Sequence, residues 1–235
     1  MKENIVLITG GSQGYGKATA KAFSDAGARV IIAARDESAL KSAVAETGSD
    51  SYICMDVTRP ESWEAARQTV MRRYGRLDIL VNNAGGGIAI KKIDAQTAEE
   101  IEKSIKLNLL SVIYGSRVFA PVFIGQKSGT IINVASVCAK HAWPGWSVYS
   151  AAKWGVLGFS KNLDVELRPH GIRVTCLIPG AGATDFMRNA GEKNLITRLE
   201  ASDVAQAIVS ICKLPSHVVV EEMTVWGIDQ TVVPL

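Results

Sequence analysis

The sequence predicts an α/β protein built as a doubly wound parallel sheet of about seven strands in three α/β/α layers. Three observations carry that prediction. Short apolar runs alternate with helix-length amphipathic stretches throughout the chain, the pattern of strands paired in parallel through helical crossovers. The first strand runs into a glycine turn, Gly10-Gly-Ser-Gln-Gly14-Tyr-Gly16, which opens a helix. Later, Ile131-Ile-Asn-Val-Ala-Ser136 closes an apolar strand on a small hydroxyl, and Tyr149-Ser-Ala-Ala-Lys153 begins thirteen positions beyond it.

Each element has its own signal. A strand over 5–9 is a bare apolar run, and the helix over 13–26 spaces Ala18, Ala22, Phe23 and Ala26 along one face before Gly27 stops it. A strand at 29–34 leads to a helix at 36–46 whose first residue, Asp36, is a good N-cap. The strand at 51–56 is followed by a helix at 61–74 that closes in Arg72-Arg73-Tyr74-Gly75-Arg76. Those cations suit a helix C-terminus and read as a helix end, not as a nucleic-acid patch. After a strand at 79–82 comes a long helix at 98–123, with Ile101, Ile105, Leu109, Val112 and Phe119 at core-facing spacing. Strands at 129–135, 173–178 and 223–226 and helices at 148–168 and 202–213 complete the alternation. At 235 residues, with no repeat or linker, one domain over 1–235 is expected. The glycine-rich, polar stretch at 180–194 suits a mobile substrate lid at about 181–198.

Composition narrows the function classes. Charged residues make up 21% of the chain, and 26 basic against 23 acidic side chains give a net charge of +3 without a long run of either sign; no nucleic-acid partner is expected. Cys54, Cys138, Cys176 and Cys212 show no C-x-x-C spacing and sit in apolar contexts, which fits reduced thiols in a cytoplasmic protein. His141, His170 and His217 are too scattered for a metal site. Met1-Lys-Glu-Asn leads straight into the first strand, so no signal peptide is expected, and no membrane partner, since no apolar run approaches the ~20 residues of a span.

The chemistry is concentrated in two places. Strand, glycine turn and helix start form the arrangement in which backbone N–H groups and a helix dipole meet a pyrophosphate. Gly10 permits the turn, Gly14 lets the backbone approach the phosphates, and Gly16 lets helix and strand pack closely. Tyr149 and Lys153, at i and i+4, stack on one helical face. A phenol titrates near ~10, and Lys153 is the nearest cation able to favour its phenolate. With Ser136 they make an acid–base site for a carbonyl or an alcohol.

The ordered set Thr9-Gly-x-x-x-Gly-x-Gly16, Asp56-Val57, Asn82-Asn-Ala-Gly85, Ser136, Tyr149-x-x-x-Lys153 and Pro179-Gly180 with Thr184 resembles the short-chain dehydrogenase/reductase family, in its common single-domain Rossmann form. The likeness runs from Ile5 to about Thr184. It implies that Tyr149 exchanges a proton with the substrate oxygen, that Ser136 hydrogen-bonds that oxygen, and that Lys153 tunes the tyrosine and binds the cofactor ribose. Asn108 matches the helical asparagine that completes a water-linked relay to the lysine; a solvent-facing Asn is the plainer alternative. The implied cofactor contacts are Gly10, Ser12, Gln13, Gly14, Tyr15 and Gly16 at the glycine turn, Asp56 and Val57 at adenine, Asn83 at the ribose and Thr184 at the nicotinamide amide. Plainer roles are a turn acid for Asp56, a strand-end turn for Asn83 and a cap for Thr184. Two departures stand out: Tyr15 replaces the usual aliphatic residue, which bears on the nicotinamide pocket, and the C-terminal 217–226 stretch lacks the frequent Asp-Gly-Gly ending.

Cofactor choice turns on Ala33-Ala34-Arg35-Asp36. An acid at the end of the second strand binds a ribose 2′-OH, whereas an arginine accommodates a 2′-phosphate. Counting is ambiguous, because Asp36 lies twenty residues beyond Gly16 and Ala34 twenty beyond Gly14. Aligned on Ala28-Arg-Val-Ile-Ile, the family's acid position falls on Ala34 and Arg35 follows, so NADP(H) is favoured, with NAD(H) the alternative. Trp143, Trp146, Phe186 and Met187 are candidates for an apolar substrate wall and equally for core or surface rings, and Arg188 reads as a solvated arginine. The expected function is carbonyl–alcohol interconversion on a small molecule. Against it stand a non-catalytic nucleotide sensor on the same fold and a sugar-nucleotide epimerase. Surplus apolar positions on the 148–168 helix (Trp154, Val156, Leu157, Phe159, Leu163, Val165) and on the 98–123 helix predict a homodimer or homotetramer.

Overall fold

Seven parallel strands form one sheet in the order β3-β2-β1-β4-β5-β6-β7 in the computed structural model, which describes residues 1–186 and 197–230. They are β1 Ile5–Thr9, β2 Arg29–Ala34, β3 Ser51–Cys54, β4 Ile79–Asn82, β5 Gly129–Val134, β6 Ile172–Pro179 and β7 Glu222–Val225. The helices are α1 Gly14–Asp25, α2 Glu37–Thr47, α3 Pro60–Tyr74, α4 Ala98–Ile105, α5 Ser111–Gln126, α6 Ser147–Leu167 and α7 Ala201–Lys213. The expected elements are all present, displaced by a few residues at their ends.

Because side chains alternate across a strand, β1 feeds both layers. Ile5 and Leu7 join Trp63 of α3, Phe119 and Phe123 of α5 and Leu163 of α6. Val6 and Ile8 join Phe23 of α1, Leu40 of α2 and Ile208 of α7. Both faces of the sheet are therefore covered, which explains why the strands read as continuous apolar runs. From β1 the chain winds outward through β2 and β3, then returns to β4 on the other side of β1. This reversal opens a crevice beyond the carboxyl ends of β1 and β4.

The basic cluster at the end of α3 is structural. Arg73 and Tyr74 both bond the Asp50 carboxylate, and Arg76 pairs with Asp78. The long helix differs from its predicted form. The sequence predicts one α-helix over 98–123; the structure widens it to a π-turn at Lys106–Leu110 and continues it to Gln126. Asn108 Nδ2 donates to the Ser104 carbonyl at 3.1 Å, intruding on the regular ladder. By length and composition the continuous Ala98–Gln126 helix passes the test for a membrane span, where the sequence reading expected none. Here Val112, Val118, Phe119 and Phe123 are buried, as in the core helix of a layered α/β protein.

Candidate active site

Thr9, the last residue of β1, is the hub of the crevice. Its hydroxyl accepts from the backbone N–H groups of Asn83 and Ala84, each at 3.1 Å, and donates to the Val81 carbonyl at 3.4 Å. Asn83 Nδ2 donates to the Thr9 carbonyl at 2.9 Å, so this side chain is a strut between β4 and the glycine turn. Gly10 and Gly14 hold φ of +66° and +51°, the left-handed backbone that the turn requires. A Cβ on Gly16 would lie 2.2 Å from the Gly10 carbonyl oxygen and 2.5 Å from Asn83 Nδ2. Gln13 enters α1 in extended geometry without a side-chain cap, and the first turn carries no acid. Its first N–H groups are thus left to an outside acceptor, and a phosphate fits there. Ser12 is half-buried in the turn and Gln13 exposed.

At the end of β2, Asp36 Oδ1 accepts from Ser38 N–H at 2.9 Å and Ala39 N–H at 3.0 Å. It is the N-cap of α2, as the strand register implies, and those bonds hold its carboxyl below the usual range. Arg35 is exposed beside it and forms no ion pair with any described residue. Asp56 Oδ1 accepts from the Thr58 N–H at 2.9 Å and hydroxyl at 2.8 Å, so the turn role is realised. The Val57 side chain is buried in the core, and its carbonyl accepts the Trp63 indole N–H at 2.9 Å. Cys54 is exposed, against the apolar context that the sequence suggests; the other three thiols are buried, and all four are free.

β5 delivers Ser136, and α6 presents Tyr149 and Lys153 from its first two turns. Ser136 Oγ accepts from the Cys138 N–H at 3.2 Å and faces the Tyr149 hydroxyl, whose pKa rise it offsets in part. Lys153 is 3% exposed, and its ammonium donates to the Val134 carbonyl at 2.9 Å. It lies 5.6 Å from the centroid of the Tyr149 ring. Burial pulls Lys153 down to about 8. Burial also pushes the Tyr149 phenol up, with the Cys138 thiol adding to the rise and Ser136 offsetting part of it. This corrects the expectation that Lys153 lowers the tyrosine: desolvation dominates, and the ammonium is spent on the Val134 carbonyl.

Asn108 is fully buried, which excludes the solvent-facing alternative. Its Oδ1 accepts from Gly86 N–H at 3.0 Å, and its Nδ2 donates to the Gly86 carbonyl at 2.9 Å. A Cβ on Gly85 would come within 3.0 Å of Asn108 Oδ1 and 3.4 Å of Lys153 Nζ. The glycine therefore keeps open a small gap lined by both groups. Behind the site, Asn82 Nδ2 bonds Ser116 and Asn133, and Asn133 Nδ2 bonds Ser160, a buried polar chain tying α5, β4, β5 and α6 together.

Beyond β6 the backbone is held from two sides. Tyr15 donates its hydroxyl to the Gly180 carbonyl at 2.9 Å, and Gln230 Nε2 donates to the Ala181 carbonyl at 2.7 Å. A Cβ on Gly182 would meet the Tyr15 hydroxyl at 2.2 Å. Thr184 Oγ1 accepts from Phe186 N–H at 3.3 Å, so it does cap the segment, and it lies across from Gly14, 3.9 Å from the Cβ that residue lacks. Trp143 and Trp226 pack on a core cluster with Val156 and Ile178, whereas Trp146 and Phe186 sit against Tyr149. Of the predicted lid, residues 187–196 lie outside the described residues, Met187 and Arg188 among them.

Sequence reasoning missed Thr9 as a hub and Gln230 altogether. Thr9 had a signal, since it ends the strand inside the glycine motif; an isolated Gln near the C-terminus has none.

A family model of short chain dehydrogenases matches residues 4–195. An uncharacterized oxidoreductase of Staphylococcus aureus is 30% identical over 227 residues, covering 96% of this chain and 97% of that protein. Among solved structures, the closed form of a serine dehydrogenase complexed with NADP+ is 29% identical, with a TM-score of 0.91 over 98% of both chains. A 3-ketoacyl-(acyl-carrier-protein) reductase from Brucella melitensis complexed with NADH is also 29% identical, with a TM-score of 0.89 over 96% of this chain and 98% of its own. With glycine turn, Asn83 strut and the Ser136, Tyr149 and Lys153 cluster around one crevice of a seven-stranded parallel sheet, this chain is an oxidoreductase of the short-chain dehydrogenase family.

Proposed function

We propose that the protein interconverts a small-molecule ketone or aldehyde and its alcohol, with NADP(H) favoured over NAD(H). The observation that carries this reading is the gathering of Ser136, Tyr149 and the buried Lys153, with the uncapped start of α1 across the crevice. When bound, the nicotinamide supplies or takes up the hydride. Tyr149 gives its proton to the carbonyl oxygen on reduction and takes it back on oxidation; burial keeps the phenol protonated at neutral pH, which suits reduction. Ser136 holds the same oxygen. Lys153, bonded to the Val134 carbonyl beside Tyr149, would hold the ribose hydroxyls of the dinucleotide when it is bound. Lys153 and Asn108 both line the position where Gly85 lacks a Cβ, so a water there would link them and carry the proton outward. Gly10, Ser12, Gln13, Gly14 and Gly16 cradle the phosphates. Asp56 and the Val57 backbone meet adenine, Asn83 meets the ribose through its backbone, Tyr15 backs the nicotinamide and Thr184 meets its amide. Arg35, exposed and unpaired among the described residues, receives the 2′-phosphate.

One domain acts as the unit, in the cytoplasm, and assembles as a homodimer or homotetramer. Trp154 and Val165 of α6 are 48% and 71% exposed and Ile124 of α5 is 36% exposed, which supports a helical interface there. Fluorescence titration with NADPH and NADH, then a carbonyl panel, tests the reading. Tighter NADPH binding with carbonyl-dependent oxidation is expected; tighter NADH binding or no carbonyl turnover would overturn the corresponding part.

A further inference from the structure

Trp143, Trp146, Phe186 and Trp226 fall into two groups. Trp143 and Trp226 are packed against a buried cluster that includes Val112, Ala135 and Ile178. Trp146 and Phe186 belong to none of the three core clusters among the described residues. Their described ring partners are each other and Tyr149. Trp146 meets Tyr149 edge-on, with centroids 5.3 Å apart at 77°, and Phe186 lies 5.8 Å from it. Trp146 and Phe186 are themselves nearly parallel, at 18°, with centroids 6.4 Å apart. Both are half-buried, one from the start of α6 and the other from the segment after β6. A large aromatic side chain left half in water forgoes much of its burial free energy. Two such faces, aligned beside the group that protonates the substrate, offer a planar ligand apolar surface and ring–ring geometry together.

We propose that Trp146 and Phe186 clamp the flat apolar group of the substrate, and that the favoured carbonyl is bonded directly to an aromatic ring: an aryl ketone or aryl aldehyde, with the benzylic alcohol in the reverse direction. This rests on the carbonyl–alcohol reading. A ring one bond from the carbonyl carbon stays beside the two faces while its oxygen reaches Tyr149 and Ser136; a long spacer carries the ring past them. In reduction the carbonyl carbon accepts the hydride from the reduced dinucleotide. The C=O π pair moves to oxygen, which takes the Tyr149 proton, and the dinucleotide is left oxidised.

A matched pair separates planar recognition from plain apolar burial: phenyl methyl ketone and cyclohexyl methyl ketone, similar in size, one flat and one puckered. Binding is read by ligand-observed NMR on the Tyr149→Phe protein loaded with NADP+, which removes differences in carbonyl reactivity. The phenyl ketone should bind about tenfold tighter, since ring–ring contacts add to area burial. Trp146→Leu should bring the ratio close to one, and Trp146→Phe should keep most of it. Equal binding of the two ketones, or a preference that survives Trp146→Leu, would overturn the clamp. Parent enzyme that turns over neither ketone, nor any other carbonyl, defeats the carbonyl reading; the binding ratio still decides the clamp separately.

Discussion

The two ends of the crevice are built on opposite principles. Where β2 and β3 end, Arg35 is exposed, Asp36 is occupied in capping α2, and Asp56 is taken up by its own turn. Where β5 meets α6, Lys153 is 3% exposed, Tyr149 5% and Asn108 fully buried; Lys153 and Asn108 hydrogen-bond to backbone partners, and Tyr149 packs against Trp146 and Phe186. The first end lies in water, so on the proposed reading its discrimination is a matter of one added charge contact. The second is assembled beforehand, and desolvation moves Tyr149 up and Lys153 down before any ligand arrives. Selectivity should therefore be changed at the first end without cost to folding, whereas changes at the second alter chemistry and stability together.

The largest effect is expected at the buried end. Tyr149→Phe keeps the ring packing against Trp146 and Phe186 and deletes only the hydroxyl. Turnover should fall by ~10²–10⁴-fold with dinucleotide binding retained. Steady-state rates near those of the parent would remove Tyr149 from the acid–base role. At the exposed end, Arg35→Ala should weaken NADPH binding by roughly ten- to a hundredfold, the value of a charge-assisted phosphate contact, and leave NADH nearly unchanged. Parallel losses for both dinucleotides in a fluorescence titration would show that Arg35 does not read the 2′-phosphate.

Lys153 tests the coupling of chemistry to stability. Its folded pKa of about 8 lies below the unfolded value of ~10.4, so between them the unfolded chain holds a proton that the folded chain lacks. The sign follows: this group adds stability as pH rises through that window, and below it the buried ammonium is a standing penalty. The thiols Cys176 and Cys212, pushed up to about 11 and about 12 by burial, act in the opposite sense, as do Cys138 and Tyr149. The Lys153 charge lowers Cys138 and Cys176, so the difference between parent and variant reads the lysine together with its coupling to these two thiols. Lys153→Met should gain on the parent at pH 7, and that gain should shrink by about 1–3 kcal/mol by pH 10 in urea unfolding of the cofactor-free proteins. Superimposable pH dependence of the two stabilities would mean that Lys153 is not desolvated as described.

What was legible in the sequence follows the same division. Strand order, the glycine turn, Asp36 as a cap and the meeting of Ser136 with Tyr149 and Lys153 depend on local periodicity and on topology, and both leave marks in a single chain. The π-turn at Lys106–Leu110 did not, because one buried side-chain bond to the Ser104 carbonyl produces it within a normal helical pattern. Nor did the sign of the Tyr149 shift, since i,i+4 spacing places a cation nearby but cannot reveal that Val134 takes its proton donor. Trp143 and Trp146 are three positions apart with the same side chain, and only packing distinguishes the core ring from the site ring.

Tyr15 sharpens the comparison, because it belongs to the glycine turn yet works at the far side of the crevice. Its hydroxyl reaches the Gly180 carbonyl at 2.9 Å while Gln230 holds the Ala181 carbonyl at 2.7 Å, so two consecutive peptide units opposite α1 are fixed before a ligand arrives. Tyr15→Phe leaves the ring packed on Gly182 and removes a single hydrogen bond, whose net value is ~0.5–1.5 kcal/mol. Dinucleotide affinity should fall roughly two- to tenfold, with turnover at saturating dinucleotide unchanged. The loss should be the same for NADPH and NADH, because on the proposed reading the segment that Tyr15 holds faces the nicotinamide end, which the two share, and not the 2′-phosphate that separates them. Arg35→Ala and Tyr15→Phe thus give opposite patterns from residues on neighbouring turns. A Tyr15→Phe loss confined to NADPH would place its effect at the adenosine end, and unchanged affinity for both would show that the Gly180 carbonyl needs no holding.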